Sequence, residues 1–230
     1  SGNTDCYQPL EASYRLTRRC LEVCHEFRNP VGIITKAALI RRDIDLLQQL
    51  HRDARLHVTV SVAFTDEEMA RRLEPWVPSP AARFRVIRAL ADAGIPVGVA
   101  VSPIIPGMND SQVAEVLTAA HDHGASWAFR TLLRLPQETR VVFSERLKDE
   151  YPDRYDKVMN GVRAARKGAL YQSKFGERMK GSGQRWEAVE WLFETTCRKL
   201  GLLSGRSQEV GLSSDALMAD DRGPGRTTFI

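Results

Sequence analysis

The spacing of apolar positions changes period along the chain. Over residues 10–27, Leu16, Cys20, Val23 and Phe27 recur every three or four positions, which predicts a helix with one buried face. The run Val31-Gly32-Ile33-Ile34-Thr35 that follows is short, apolar and β-branched, which predicts a buried strand. The alternation then repeats. The pattern predicts a helix over 40–51, a strand over 57–64, and a short helix over 66–73 opened by Thr65 as N-cap. A helix over 80–93 stops at Gly94, and a strand over 96–101 sets Val97, Val99 and Val101 between small residues. A helix over 109–123 ends at Gly124, before a strand near 127–133. Such βα alternation calls for a parallel sheet covered by helices. Right-handed crossovers leave either an open doubly wound sheet or a barrel, and periodicity does not separate them.

After Pro136 the pattern turns helical, with stretches over 138–151, 153–167 and 184–200 and no clear strand between them. Beyond Gly201 large apolar residues become scarce among Ser, Gly, Asp and Arg. The expected organisation is therefore an α/β core over 1–135, a helical extension over 136–203 and a flexible tail over 204–230.

Composition narrows the class. A chain of 230 residues that is 43% hydrophobic and 27% charged is long enough for one substantial core. The net charge of +4 is spread along the chain, which is compatible with a phosphate-bearing partner without requiring one. Four cysteines do not make a disulfide framework, and no apolar run reaches the roughly 20 residues that span a bilayer, so the expectation is a cytoplasmic protein with no membrane partner. The opening Ser-Gly-Asn-Thr-Asp carries no signal-peptide pattern, and the absence of an initiator Met raises the expectation that residues precede Ser1.

Parallel α/β folds bind ligands at the C-terminal ends of their strands, where loops and helix N-termini converge. The residues at those places are Asn3, Thr4 and Asp5, then Thr35 and Lys36, then Ser61, then Ser102. One ammonium among hydroxyls suits a small zwitterionic or carboxylate-bearing ligand, although Lys36 alone reads first as a solvated lysine at a helix start. Two basic stretches are nucleic-acid candidates. Arg15, Arg18 and Arg19 share a helix face that also reads as a solvated surface. Lys174, Phe175, Arg178, Lys180, Arg185 and Trp186 combine charge with aromatic rings. His121 and His123, near a helix end, are explained by the helix dipole without a metal.

Several segments occur in order that together resemble a known family: residues 4–11 (Thr-Asp-Cys-Tyr-Gln-Pro-Leu-Glu), Thr35-Lys36, Leu73-Glu74-Pro75 with Pro78-Ser79-Pro80, residues 93–98, and Pro103-Ile104-Ile105-Pro106-Gly107. Over roughly residues 1–200 the chain is similar to radical S-adenosylmethionine (SAM) proteins of the DNA repair photolyase-like group, relatives of spore photoproduct lyase. The resemblance implies a partial (β/α) barrel and SAM as cofactor, with a 4Fe-4S cluster in the intact enzyme. It implies that Thr4 and Asp5 meet the methionyl group, Lys36 the carboxylate, Ser61 assists, and the backbone around Ser102 meets adenine. Glu74 belongs to the shared Glu-Pro turn but receives no role.

Two departures bear on chemistry. The family's Cys-x3-Cys-x2-Cys cluster loop is absent: Cys20 and Cys24 have the first spacing, but the third position is Phe27 and the segment reads as a helix. Cys20, Cys24 and Cys197 are expected to pack on helix faces, and the cluster cysteines to lie upstream. The hydrogen-donating cysteine of spore photoproduct lyases falls on Gly2, so no dimer-lyase reaction is implied, and Cys6 is only a distant substitute. The expectation is a fragment of a radical SAM enzyme, inactive alone in reductive SAM cleavage, with an unknown substrate for which nucleic acid is one candidate. The alternative is a cluster-less barrel that binds nucleic acid or a protein partner.

Overall fold

Four strands carry the architecture: β1 (Val31–Thr35), β2 (Leu56–Ser61), β3 (Val97–Ile104) and β4 (Trp127–Leu132), all parallel and each beside its predecessor. Two-residue strands extend the sheet at either edge, β5 (Leu203–Ser204) on β4 and β6 (Thr228–Phe229) on β1. The structure is a computed structural model that describes residues 4–171 and 181–205 and the backbone of 228–229. A doubly wound sheet reverses its strand order at a switch point. Here β1 to β5 run in unbroken sequence, so the sheet is singly wound, a partial barrel.

Parallel register places paired residues on the same face. Val31 and Ile33, Val58 and Val60, Val97, Val99 and Val101, and Ala128 and Leu132 form one face, buried against the helices. Those helices are α3 (Ile44–Asp53), α5 (Pro80–Asp92), α6 (Val113–Asp122) and α9 (Gln184–Leu200). Leu47 and Leu50, Ile87 and Leu90, Val116 and Leu117, and Val189 and Phe193 close the core. At about 25 cal/mol per Å² of apolar surface, burial of this layer is the main force holding the sheet.

The other face is mixed: Gly32 and Ile34, His57, Thr59 and Ser61, Gly98 and Ala100, and Trp127 and Phe129. Trp127 lies across Gly98, where a Cβ would come within 2.1 Å of the indole nitrogen. That nitrogen donates to Thr59 Oγ1 at 3.2 Å. A second apolar cluster sits past the strand ends. It joins Ala63, Phe64, Ile105, Met108, Leu133 and Leu135 to α4 (Glu67–Leu73), α7 (Gln137–Glu150) and α8 (Tyr155–Ala165).

Four expectations are corrected. The helix over 10–27 is two, α1 (Glu11–Tyr14) and α2 (Leu16–Glu26), broken at Arg15 with φ of 53°. The face of α2 expected to be buried is outward, with Leu16, Val23 and Phe27 at 59%, 53% and 74% exposed and Cys20 exposed as well. Thr17 and Leu21 are the buried positions, because Thr17 Oγ1 donates to the Cys6 carbonyl at 2.6 Å and so is satisfied inside. The N-cap of α4 is Asp66, whose carboxylate accepts Met69 N–H at 2.9 Å. Thr65 instead points to Gln112 and Glu115. Finally, the helix expected over 40–51 opens with a 3-10 turn, Ala38–Asp43, before α3.

Candidate functional site

The segment before α1 is tied across the end of β1 by Asp5. Its Oδ1 accepts the Thr35 hydroxyl at 2.7 Å and Tyr7 N–H at 2.9 Å, and its Oδ2 accepts Lys36 N–H at 2.7 Å. The N–H groups of Tyr7 and Lys36 lie outside the strand ladder, and one carboxylate takes both together with the Thr35 hydroxyl. Behind Asp5 lies a charged cluster. Asp43, wholly buried, accepts from Arg18 at 3.0 Å, from Arg42 at 2.8 Å and from the Tyr7 hydroxyl at 3.2 Å. Burial would raise the Asp43 carboxyl, but the two guanidiniums outweigh it and hold it below its ordinary value. Glu11, also buried, accepts the N–H groups of Thr17 and Arg18 at the start of α2 and a guanidinium N–H of Arg42. Residues 5–11 are thus fixed against β1 by ionic groups.

Lys36 is the first residue past β1, and alternation continues it onto the mixed face with Ile34. Its ammonium donates to Glu74 Oε1, and Arg83 donates to Glu74 Oε2 at 2.7 Å. Glu74 ends α4, and Ser79 and Pro80 open α5, with Ser79 Oγ and Glu67 Oε1 accepting its first free N–H groups. This turn puts Arg83 in the first turns of α5 facing inward, 1% exposed. Arg83 also donates to the carbonyl of Pro78 at 2.7 Å and of Ser61 at 3.2 Å. Burial raises the Glu74 carboxyl, but Lys36 and Arg83 together hold it below its ordinary value. The triad of two cations and one anion carries a net charge of +1.

The other strand ends join by hydroxyls. Ser61 Oγ donates to the Ser102 carbonyl at 3.0 Å, and the Ser102 hydroxyl is hydrogen-bonded to Thr131 in β4. The Ser102–Pro103 peptide is cis. Asn109, 1% exposed, holds the following loop by donating to the carbonyls of Ala63 and Pro103 and accepting Ile105 N–H at 2.7 Å.

Of the expected site residues, Asp5, Lys36, Ser61 and Ser102 therefore come to one end of the sheet, while Thr4 is exposed at the start of the described chain. The sequence reading missed Arg83, Asn109 and Thr131. A lone Arg in an amphipathic helix gives no signal of burial, but Thr131 lay at a strand end beside positions already singled out.

The remaining candidates separate from this end. Arg18 is committed to Asp43, Asp45 and Glu22. Arg185 is paired with Asp110, and Trp186 is 3% exposed, so its ring offers no stacking face. Lys174, Phe175, Arg178 and Lys180 lie outside the described residues, as does Gly2. His123 is hydrogen-bonded through Nδ1 to the Ala119 carbonyl at 2.7 Å and stacks on Phe84 with ring centroids 5.5 Å apart. No described helix is long and apolar enough to cross a membrane.

A singly wound parallel sheet with its polar groups gathered past the strand C-termini defines a barrel-type enzyme scaffold. The chain belongs to the radical SAM superfamily, whose sequence profile matches residues 1–120. It is 36% identical over 109 residues to an uncharacterized protein of Mycobacterium tuberculosis, covering 47% of this chain and 32% of that protein. An uncharacterized protein of Methanocaldococcus jannaschii is 26% identical over 160 residues, covering 70% of this chain and 58% of the relative. The chain thus spans less than two thirds of the length of these relatives. Among solved structures, spore photoproduct lyase complexed with dinucleoside spore photoproduct superposes with a TM-score of 0.59 at 16% identity, over 86% of this chain and 58% of that one. A variant of that enzyme with bound AdoMet and the dinucleoside gives a TM-score of 0.57, over 85% and 57%. That likeness is one of fold.

The residues present fit the two groups of this superfamily differently. The +1 triad and the strand-end hydroxyls suit the carboxylate and polar groups of SAM. The described residues contain no group of three metal-ligating side chains, so they do not fit a 4Fe-4S cluster. Cys20 and Cys24 lie on α2, whose C-terminus leads into the start of β1, the opposite end from Lys36. Burial pushes the Cys6 thiol up to about 11 and the Cys197 thiol up to about 12, both unfavourable to thiolate ligation.

Proposed function

We propose that this chain carries the SAM-binding part of a radical SAM enzyme, with the cluster thiolates supplied from outside the described residues and the substrate bound over the same end of the sheet. The observation that carries the reading is Lys36: an ammonium past the end of β1, held by one bond to Glu74 in a triad of net positive charge. An ammonium has three donors, so two remain for a ligand carboxylate. Ser61 and the backbone around Ser102 line the next two strand ends, where the adenosyl part of SAM would lie. Asp5 has both oxygens occupied by Thr35, Lys36 and Tyr7, so its role in this reading is to shape the loop that meets the methionyl group, together with Thr4.

SAM bound with a 4Fe-4S cluster supplies the superfamily's radical chemistry. What this chain's residues contribute is binding and orientation. Isothermal titration of the chain with SAM tests this. Lys36→Met should weaken binding about 10- to 100-fold, the equivalent of a charge-assisted hydrogen bond worth roughly 1.5–3 kcal/mol. Absence of SAM binding by the wild-type chain, or equal affinity in Lys36→Met, would refute the proposal.

A further inference from the structure

Glu74 raises a problem for any anionic ligand at Lys36. A lysine paired only with a glutamate is a neutral pair, and an incoming carboxylate would meet the glutamate's repulsion along with the lysine's attraction. Arg83 changes that balance. Its guanidinium is 1% exposed and contacts the second oxygen of the same carboxylate at 2.7 Å. Its remaining bonds go to the carbonyls of Pro78 and Ser61, which bring no charge. Glu67 and Arg71 line the same cavity as Glu74 and Arg83, and their formal charges cancel.

We infer that Arg83 is a positioning residue for the ligand carboxylate: by neutralising Glu74 it frees the Lys36 ammonium to serve an incoming anion. Glu74 in turn aims the ammonium without cancelling it. The inference rests on the proposed SAM site and deepens it. A guanidinium suits this task because it is always charged and its planar fork serves a carboxylate and two carbonyls at once.

Charge balance supplies the test, read as equilibrium binding of two ligands, SAM and 5′-methylthioadenosine, which shares the adenosyl thioether but has no carboxylate. Arg83→Met should weaken SAM about tenfold or more, since a unit charge a few ångströms away is removed from a mostly buried site, and leave 5′-methylthioadenosine within about twofold. The double variant Arg83→Met/Glu74→Gln returns the triad to +1 through Lys36 alone, with the Asp5 carboxylate common to every variant, and should recover SAM affinity to within about threefold of wild type. A purely structural role for Arg83 predicts no such recovery. Glu74→Gln alone, which retains the buried guanidinium, should bind SAM about threefold tighter or more. That variant decides the matter if Arg83→Met does not fold by circular dichroism. Equal loss of both ligands in Arg83→Met, no recovery in the double variant, or unchanged or weaker SAM binding by Glu74→Gln would overturn the role of Arg83. Wild-type protein that binds neither ligand would instead overturn the SAM site itself.

Discussion

Asp43 gives the most direct test of how residues 5–11 are held to the barrel. Its carboxylate is wholly buried and takes bonds from Arg18, Arg42 and Tyr7. Removing one partner of a buried ionic group costs about 3–5 kcal/mol, because the groups left behind are desolvated and unpaired. In Asp43→Ala, Arg18 and Arg42 are 25% and 21% exposed and keep Asp45 and Glu11, so the low end applies, about 3 kcal/mol. With a urea dependence near 2 kcal/mol per molar, the unfolding midpoint should fall by about 1.5 M. Asp45→Ala is the internal control. It removes a carboxylate that shares Arg18 but is 58% exposed, and should cost under about 1 kcal/mol. Because Asp43 anchors the segment that carries Asp5, SAM binding by Asp43→Ala should also weaken. Urea midpoints within about 0.5 M of wild type for Asp43→Ala, or equal losses in the two variants, would refute this account of the cluster.

Other outcomes follow from the same packing. Leu21→Ala, at 0% exposure, should lose about 2–5 kcal/mol in denaturant titration, whereas Phe27→Ala, at 74% exposure, should lose under about 1; the reverse order would restore the face of α2 expected from periodicity. Glu11, Asp43 and Glu74 have carboxyls held below their ordinary values of 4.5, 3.8 and 4.5, so the stability they contribute is present above those values and lost as pH falls through the lower folded ones. The urea midpoint should therefore hold level down to about pH 5 and fall below it; a fall on raising the pH from 5 to 7 would contradict the assignment. In thiol labelling of native protein at pH 8, exposed Cys20 should react first, while Cys6 and Cys197, raised to about 11 and 12, stay unlabelled until denaturant is added. Rapid labelling of Cys197 would show that α9 is not packed as described.

Hydrophobic periodicity located β1 to β4 and most helices because each element's own burial pattern is local: Val97, Val99 and Val101 announce a two-faced strand wherever it pairs. The same logic misread α2, since counting apolar residues cannot register that Thr17 is satisfied by the Cys6 carbonyl and takes the buried place. Order along the chain placed Asp5, Lys36, Ser61 and Ser102 at strand ends and left the barrel and the doubly wound sheet equally open. The choice between those two depends on which strands are neighbours, a non-local fact that appears only in the sheet order. The site divides in the same way. Sequence alone determined that an ammonium stands just past a buried strand, because Lys36 follows Thr35. Only the tertiary structure decided what that ammonium meets, because Glu74 and Arg83 lie far along the chain, at the C-cap of α4 and on α5, and the interaction of three charges depends on distances that folding alone sets.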